Sequence, residues 1–309
     1  MRTPIRLTPQ YKEMIWGGQG LRTLFGRDIP SDKTGESWDI HADNLVTGTG
    51  QTLQDLAQDP TIVGEKVASL DTFPLLVKII TPEDDLSIQV HPDDEYARRV
   101  EGQPYGKTEC WYVLDAPADA RLIIGLSPAI QNKAQLRQVM DAGKIGESLN
   151  YLPVTKGDFL YIPAGLVHAI TQGVTILEVQ QTSDLTYRMY DYDRLGLDGN
   201  PRELHVDKSV DVIKYDAVPN SMTGTFQGDC NLLVSTPYFT VEKYTVMDEM
   251  TIQLSQESAS IFTCTQGELM LVYPDGQETL AYGESVIMPV GITTCKVVGS
   301  GSELIRSYY

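Results

Sequence analysis

The chain has 309 residues, 41% apolar and 21% charged, the make-up of an ordinary folded protein with room for two domains or one domain and an appendage. A formal net charge of −18 argues against nucleic acid and anionic membrane as partners, while leaving open a small phosphorylated ligand held by a few local Lys and Arg. No apolar run approaches the roughly 18–20 residues of a membrane span, residues 1–16 lack the apolar stretch of a signal peptide, and Cys110, Cys230, Cys264 and Cys295 show no CxxC pairing, so the expectation is a cytoplasmic protein with reduced thiols.

Residues 1–50 are turn-rich, with Trp16-Gly17-Gly18 and Gly35-Glu36-Ser37-Trp38, and 37–41 (SWDIH) reads as a strand. Residues 53–69 read as short helices interrupted at Pro60 and Gly64. The run 74–80 (PLLVKII) reads as a buried strand that carries Lys78; a buried Lys is rare unless paired, so this one faces either a cleft or a carboxylate.

Residues 86–113 (LSIQVHPDDEYARRVEGQPYGKTECWYV) hold the most telling pattern. In a strand, Leu86, Ile88 and Val90 point one way while Ser87, Gln89 and His91 point the other. After a turn-rich segment a second strand begins, in which Lys107, Glu109 and Trp111 share a face. Two neighbouring strands can therefore bring Gln, His, Glu and Lys into one space, a set that suits a divalent metal beside an anionic ligand.

Further on, 121–126 reads as a strand and 128–150 as the one clear helical block, with Gly143 a plausible stop. Strands are expected at 151–154, 159–162, 168–170 and 175–180, a polar aromatic loop at 182–204, and a short helix within 206–216. From about residue 220 short strands and turns resume to the end. The frame Gly157-Asp158-Phe159-Leu160-Tyr161-Ile162-Pro163-Ala164-Gly165 is echoed by Gly283-Glu284-Ser285-Val286-Ile287-Met288-Pro289-Val290-Gly291. In the first copy His168 follows the Pro by five places; in the second that place holds Thr294. Short strands, Gly/Pro turns and a duplicated unit imply a mainly β protein of two small barrels or jelly rolls, with a helical insertion at about 127–150 in the first. The expected domains are 1–219, carrying the chemistry, and 220–309, lacking metal ligands.

His41 and His205 have no patterned neighbours. His91 ends a strand in Gln-x-His-Pro, and His168 follows a Pro-Ala-Gly turn. With Glu109 on an adjacent strand they form two His and one carboxylate, a familiar metal set with an open position, to which Gln89 could add an oxygen. The acidic runs 83–85 and 93–95 read as solvated turns, and Asp191-Tyr192-Asp193 as either a cation site or part of a polar loop.

These motifs resemble the type I phosphomannose isomerases, metal-dependent enzymes of the cupin fold. The resemblance rests on Trp16-Gly17-Gly18, Gly35-Glu36-Ser37-Trp38, Ser87-Ile88-Gln89-Val90-His91-Pro92, Gly106-Lys107-Thr108-Glu109, Ile162-Pro163-Ala164-Gly165 with His168, and Ser183-Asp184 with Arg188. It implies one Zn2+ per chain held by His91, Glu109 and His168, with Gln89 as the further ligand. It also implies a substrate pocket including Trp16, Glu36, Lys78, Ser87, Lys107, Asp184 and Arg188. Two residues after His168 stands Ile170, where larger members often carry Tyr.

The implied reaction interconverts mannose 6-phosphate and fructose 6-phosphate by moving a proton between C1 and C2 through a cis-enediol. Arg188 keeps its proton at any ordinary pH, so its role is to stabilise the enediolate oxygen rather than to act as base. Glu36, Lys107 and a metal-bound water are the candidate bases. Lys78 and Ser87 suit a phosphate. Two other readings use the same fold: another metal-dependent cupin enzyme such as an iron oxygenase, and a non-enzymatic sugar-binding cupin. Lys78, Lys107 and Arg188 favour an anionic substrate over an apolar one. A monomer and a homodimer are both compatible with the sequence.

Overall fold

The computed structural model describes residues 3–217, 220–222 and 228–309. It is built mainly of strands. The first twelve are β1 (Gln10–Gly18), β2 (Thr34–Ile40), β3 (Leu75–Ile80), β4 (Ile88–Val90), β5 (Glu109–Asp115), β6 (Arg121–Leu126), β7 (Leu149–Pro153), β8 (Phe159–Ile162), β9 (His168–Ala169), β10 (Thr175–Gln181), β11 (Tyr187–Tyr190) and β12 (Asn220–Met222). They are followed by β13 (Cys230–Ser235), β14 (Thr240–Val246), β15 (Glu249–Gln253), β16 (Ser260–Gln266), β17 (Glu268–Tyr273), β18 (Gly276–Ala281), β19 (Ser285–Met288), β20 (Thr294–Val298) and β21 (Ser302–Tyr308).

Two compact units divide the described chain. One comprises residues 11–36, 80–217 and 220–222; the other comprises 3–10, 37–79 and 228–309. The sequence boundary expected between 219 and 220 adjoins residues 218–219, outside the described set, and the run 37–79 groups with the C-terminal residues.

In the first unit the strand order β10-β5-β8-β12 forms one antiparallel sheet and β11-β4-β9-β6-β7 another. Trp111 and Val113 of β5, Leu160 of β8, Ile176 of β10 and Leu122 and Ile124 of β6 come together in one buried cluster, so apolar faces of both sheets close on a common core. This is the open two-sheet jelly roll of a cupin rather than a closed barrel. The other face of the second sheet is also buried. Ile88 and Val90 of β4, Ala169 of β9 and Tyr187 and Met189 of β11 pack with Leu136 of the helix Lys133–Asp141 and Val210 and Val212 of the helix Val206–Val212. Covering that face with helices resolves the alternation in β4: its apolar residues face the helices, which frees the opposite face for Gln89.

The helical block is shorter than the expected 128–150. Asn132 caps Lys133–Asp141 by accepting from the Gln135 N–H at 3.1 Å, and Gly143 follows at φ +67°, where only glycine turns without strain. A 3-10 turn, Ile145–Ser148, completes the segment. The three short helices within 53–69 (Leu53–Leu56, Pro60–Val63, Glu65–Ala68) break at Pro60 and Gly64, as expected from those residues. Strand β1 lies in a region read as turns, β11 in one read as a loop, and Asp94–Tyr96 and Ala97–Glu101 make helical turns where only irregular turns were expected.

The second unit repeats the plan, with sheets ordered β13-β14-β21-β16-β19 and β15-β20-β17-β18. Its core joins Phe262 and Cys264 of β16 with Leu269 and Leu271 of β17, Val286 of β19, Val297 of β20 and Leu304 of β21.

Candidate metal centre

Two cross-strand rows carry the site. In one sheet Arg188 of β11 pairs with Gln89 of β4, Gln89 pairs with His168 of β9, and His168 pairs with Ile124 of β6. Directly paired residues point to the same face, and Ile124 belongs to the inter-sheet core, so Arg188, Gln89 and His168 face the interior. In the facing sheet Glu109 of β5 sits between Gln180 of β10 and Ile162 of β8. Two glycines hold the loops against this frame. The Gly106 N–H donates to Asp94 Oδ1 at 2.8 Å, and a Cβ on Gly106 would lie 2.3 Å from the Asp93 carbonyl carbon, so the approach of residues 106–109 to 92–94 requires glycine. Gly165, at φ +91°, donates its N–H to the His91 carbonyl at 2.9 Å and so ties the turn before His168 to the residue that ends β4.

The side chains of His91, Glu109 and His168 are buried, and their potential ligand atoms all lie within 4.8 Å of one another. His91 Nδ1 lies 2.9 Å from the Leu185 carbonyl oxygen, and His168 Nδ1 lies 2.9 Å from that of Leu166. A carbonyl can only accept, so each Nδ1 carries its proton and each Nε2 is left as a bare lone pair. Those two Nε2 atoms stand 3.1 Å apart, and each is 3.4 Å from an oxygen of Glu109. Among the described residues neither Glu109 oxygen has a hydrogen bond, though Lys107 Nζ forms an ion pair with Oε2 at 3.2 Å. Gln89 Nε2 lies 3.5 Å from His168 Nε2, which puts its amide at the edge of the group.

The protonation states suit ligands. Burial, aided by the charge of Lys107, pushes His91 down to about 3. Burial also lowers His168, against the opposing pull of Glu109. For Glu109 burial disfavours the charge, but Lys107 and the two histidines outweigh it and hold the carboxyl well below its ordinary value. At neutral pH the group is therefore two neutral imidazoles and one carboxylate, converging without a proton between them. A divalent cation with a taste for nitrogen and oxygen relieves that repulsion, and the donor set fits one. The Nδ1–carbonyl bonds supply the outer support that metal-bound histidines use.

The remaining expected residues divide. Ser87 and Lys107 are buried in the same unit as the histidines, and Arg188 is half-buried with its Nη1 donating to the Glu203 carbonyl at 2.9 Å. Glu36 is buried in that unit, Trp16 is part of its apolar core, and Asp184 is exposed on the loop before β11. Lys78 belongs to the other unit, where it is buried with its ammonium 5.1 Å from the Trp38 ring centre. Sequence reasoning did not find Gln180. It is fully buried beside Glu109, its Nε2 donates to the carbonyls of Gln181 at 2.8 Å and Ser183 at 2.6 Å, and its Oε1 has no partner among the described residues. The only available signal was its place in the alternation of β10.

The second unit shows what stands in the corresponding places. Glu109 pairs with Ile162 and Ser260 pairs with Met288, and Ile162 and Met288 are equivalent positions of the repeated frame. Gln89 pairs with His168, and Gln253 with Thr294. Ser260 and Thr294 thus replace two ligands. Arg306 sends its guanidinium there, donating to Ser260 Oγ at 3.0 Å, Glu242 Oε2 at 3.2 Å and the Gln253 carbonyl at 3.3 Å. Among the described residues, His91, Glu109 and His168 form the one cluster with metal-ligand geometry.

The family described as phosphomannose isomerase type I, catalytic domain, matches residues 5–115, and the mannose-6-phosphate isomerase cupin domain matches residues 229–309. The mannose-6-phosphate isomerase of Streptococcus mutans is 39% identical over 319 aligned residues, spanning 100% of this chain and 99% of the relative. The crystal structure of the mannose 6-phosphate isomerase from Bacillus subtilis superposes with a TM-score of 0.92 at 36% identity, covering 100% of both chains. A mannose 6-phosphate isomerase crystallised with zinc and yttrium shares the fold, with a TM-score of 0.78 at 20% identity over 99% of each chain. The chain belongs to the type I phosphomannose isomerase family.

Proposed function

We propose that the chain is a zinc enzyme that interconverts mannose 6-phosphate and fructose 6-phosphate through a cis-enediol(ate), with one metal per chain held by His91, Glu109 and His168 and by Gln89 as further ligand. The observation that carries this reading is the meeting of two unprotonated Nε2 atoms with the Glu109 carboxylate, which is ion-paired to Lys107, in a buried cluster of ligand atoms within 4.8 Å of one another. When bound, the metal supplies Lewis-acid polarisation of the sugar's carbonyl and hydroxyl oxygens.

The chain's own groups do the rest. Arg188 presents a permanent positive charge on the interior face beside Gln89, and its buried Nε has no partner among the described residues, so it can donate to the oxyanion that develops as the proton leaves carbon. Lys107 and Glu36 are the buried ionisable groups assigned to proton transfer between C1 and C2. Ser87 is assigned to the phosphate, and Trp16 and Asp184 to the remaining substrate contacts. The chemistry belongs to residues 1–219, while 220–309 is a jelly roll whose ligand places are taken by other side chains. The four cysteines are free, in keeping with a cytoplasmic enzyme, and no described helix is long and apolar enough to cross a membrane.

The test is formation of fructose 6-phosphate from mannose 6-phosphate by the zinc-loaded protein and by the same protein after chelation. Turnover that needs zinc is expected. No turnover by the fully metallated protein would remove the proposal, and iron-dependent oxygen uptake would replace it with an oxygenase.

A further inference from the structure

The loop after β11 contains the acidic run 191–193, which no part of the reaction uses. Asp191 is 4% exposed and sits among arginines. Its Oδ2 accepts from Arg202 Nε at 2.7 Å, and its Oδ1 accepts from Arg194 Nη2 at 2.9 Å and from Arg202 Nη2. Its carbonyl accepts from Arg194 Nε at 3.2 Å. Both acceptor atoms of the carboxylate are therefore committed to guanidinium groups, and the alternative of a cation site at Asp191 is closed.

The clamp closes a circuit. The chain leaves β11, turns through Tyr192 and Asp193 at φ 57° and 55°, and reverses at the Leu195–Pro201 bridge. Two non-glycine residues in the left-handed region cost of order 1 kcal/mol each and persist only where the surroundings enforce them. Past Arg202 the chain returns to Arg188. The Glu203 carbonyl accepts from Arg188 Nη1 at 2.9 Å, the His205 N–H donates to the Arg188 carbonyl at 2.7 Å, and His205 Nδ1 accepts from the Arg188 N–H at 3.2 Å. Backbone and guanidinium of Arg188 are thus both held by residues 203–205, and residue 202, next in the chain, is held by Asp191.

We propose that Asp191 is a positioning residue for Arg188: by pinning Arg202 and Arg194 it fixes the return of the loop at 203–205 and so the guanidinium of Arg188, whose backbone pairs with Gln89. This rests on the role given to Arg188 above. Asp191 does not touch substrate. It acts on the rate by keeping a charged donor within the narrow tolerance that oxyanion stabilisation demands, where a displacement of about 1 Å can cost on the order of 100-fold.

The experiment is a double-mutant cycle on the zinc-loaded full-length protein, with mannose 6-phosphate as substrate: Asp191→Asn, Arg188→Ala and the pair. Asp191→Asn is expected to keep its metal and to lose roughly 10- to 100-fold in kcat with a smaller change in KM. In the Arg188→Ala background the same change is expected to cost less than about 2-fold, because the group it positions is gone. An equal loss in both backgrounds would mean general damage to the fold and would overturn the inference. So would an unchanged rate in Asp191→Asn when Arg188→Ala is slow. A normal rate in Arg188→Ala itself would remove the role of Arg188 and this inference with it. Arg202→Lys, at a side chain 20% exposed, keeps the charge, loses the two-point grip and is expected to show a smaller, equally Arg188-dependent loss, so it carries the test if Asp191→Asn does not fold.

Discussion

His168 Nε2 faces His91 Nε2 at 3.1 Å, and neither nitrogen carries a proton, because both protons are spent on the carbonyls of Leu166 and Leu185. Such a pair of lone pairs beside a buried carboxylate that is balanced only by the Lys107 ammonium is relieved by a divalent cation. Zinc is therefore expected to stabilise the fold as well as serve the reaction. At a free zinc concentration 100-fold above its dissociation constant the gain is about 2.7 kcal/mol, read as a rise in melting temperature of a few degrees. His91→Ala and Glu109→Ala should both lose the metal and turnover, and His91→Ala should show no zinc-dependent rise. Equal melting temperatures for chelated and zinc-loaded wild-type protein would show that the metal does not sit in this pocket.

Acid should weaken the metal-free fold. The unfolded chain takes up a proton on His91 near the ordinary histidine pKa of ~6.5, whereas the folded chain resists it down to about 3. Between those values the unfolded state binds more protons. Stability therefore falls as pH falls, by up to about 1.4 kcal/mol per pH unit for each such imidazole. His168 is shifted in the same direction, and Glu109, held low, adds the same sign below the ordinary carboxylate range. Urea midpoints of the chelated protein at pH 7.5 and 5.0 measure this. A midpoint that does not drop at pH 5.0 would show that these imidazoles are not held neutral.

Arg188 and Glu109 separate rate from metal. Arg188→Ala should retain one zinc per chain and lose on the order of 100-fold in kcat, in the range of a lost oxyanion donor, whereas Glu109→Ala should lose both. The check is metal analysis beside steady-state kinetics. A normal rate in Arg188→Ala would show that the oxyanion is stabilised elsewhere.

Arg306 tests the reading of the second unit. Removing it leaves Glu242, a part-buried carboxylate, without its guanidinium, so Arg306→Ala should destabilise the fold by about 2–4 kcal/mol. Zinc stoichiometry should stay at one per chain. Chemical denaturation with metal analysis reads both, and an unchanged denaturation midpoint would deny the guanidinium its structural role.

Much of the site was legible because β structure has a period of two. The alternation in residues 86–91 placed Gln89 and His91 on one face, and the same logic put Lys107, Glu109 and Trp111 together. The missing ligand in the repeated frame, Thr294 for His168, was visible in the sequence. Pro60 and Gly64 marked helix breaks because their backbone chemistry is local. What stayed hidden depends on partners distant in the chain. Nothing local says that Leu185 and Leu166 set the histidine tautomers, that Arg306 reaches Ser260 and Glu242, or that Asp191 is spent on Arg194 and Arg202. Strand β11 is four residues long and lies within a polar stretch that reads as a loop, and it is the pairing with β4 that makes it a strand. Lys78 was identified as a buried lysine from its apolar neighbours, while its place against the Trp38 ring is a tertiary fact.

On the function proposed, one metal at His91, Glu109 and His168 makes this chain an isomerase of mannose 6-phosphate. Zinc titrated back into chelated protein, with fructose 6-phosphate formation followed at each addition, tests it most directly. Activity should rise in proportion to zinc and level off at one equivalent per chain, with no recovery in Glu109→Ala. Full activity in protein shown to be free of metal, or recovery in Glu109→Ala equal to that of the wild type, would contradict it.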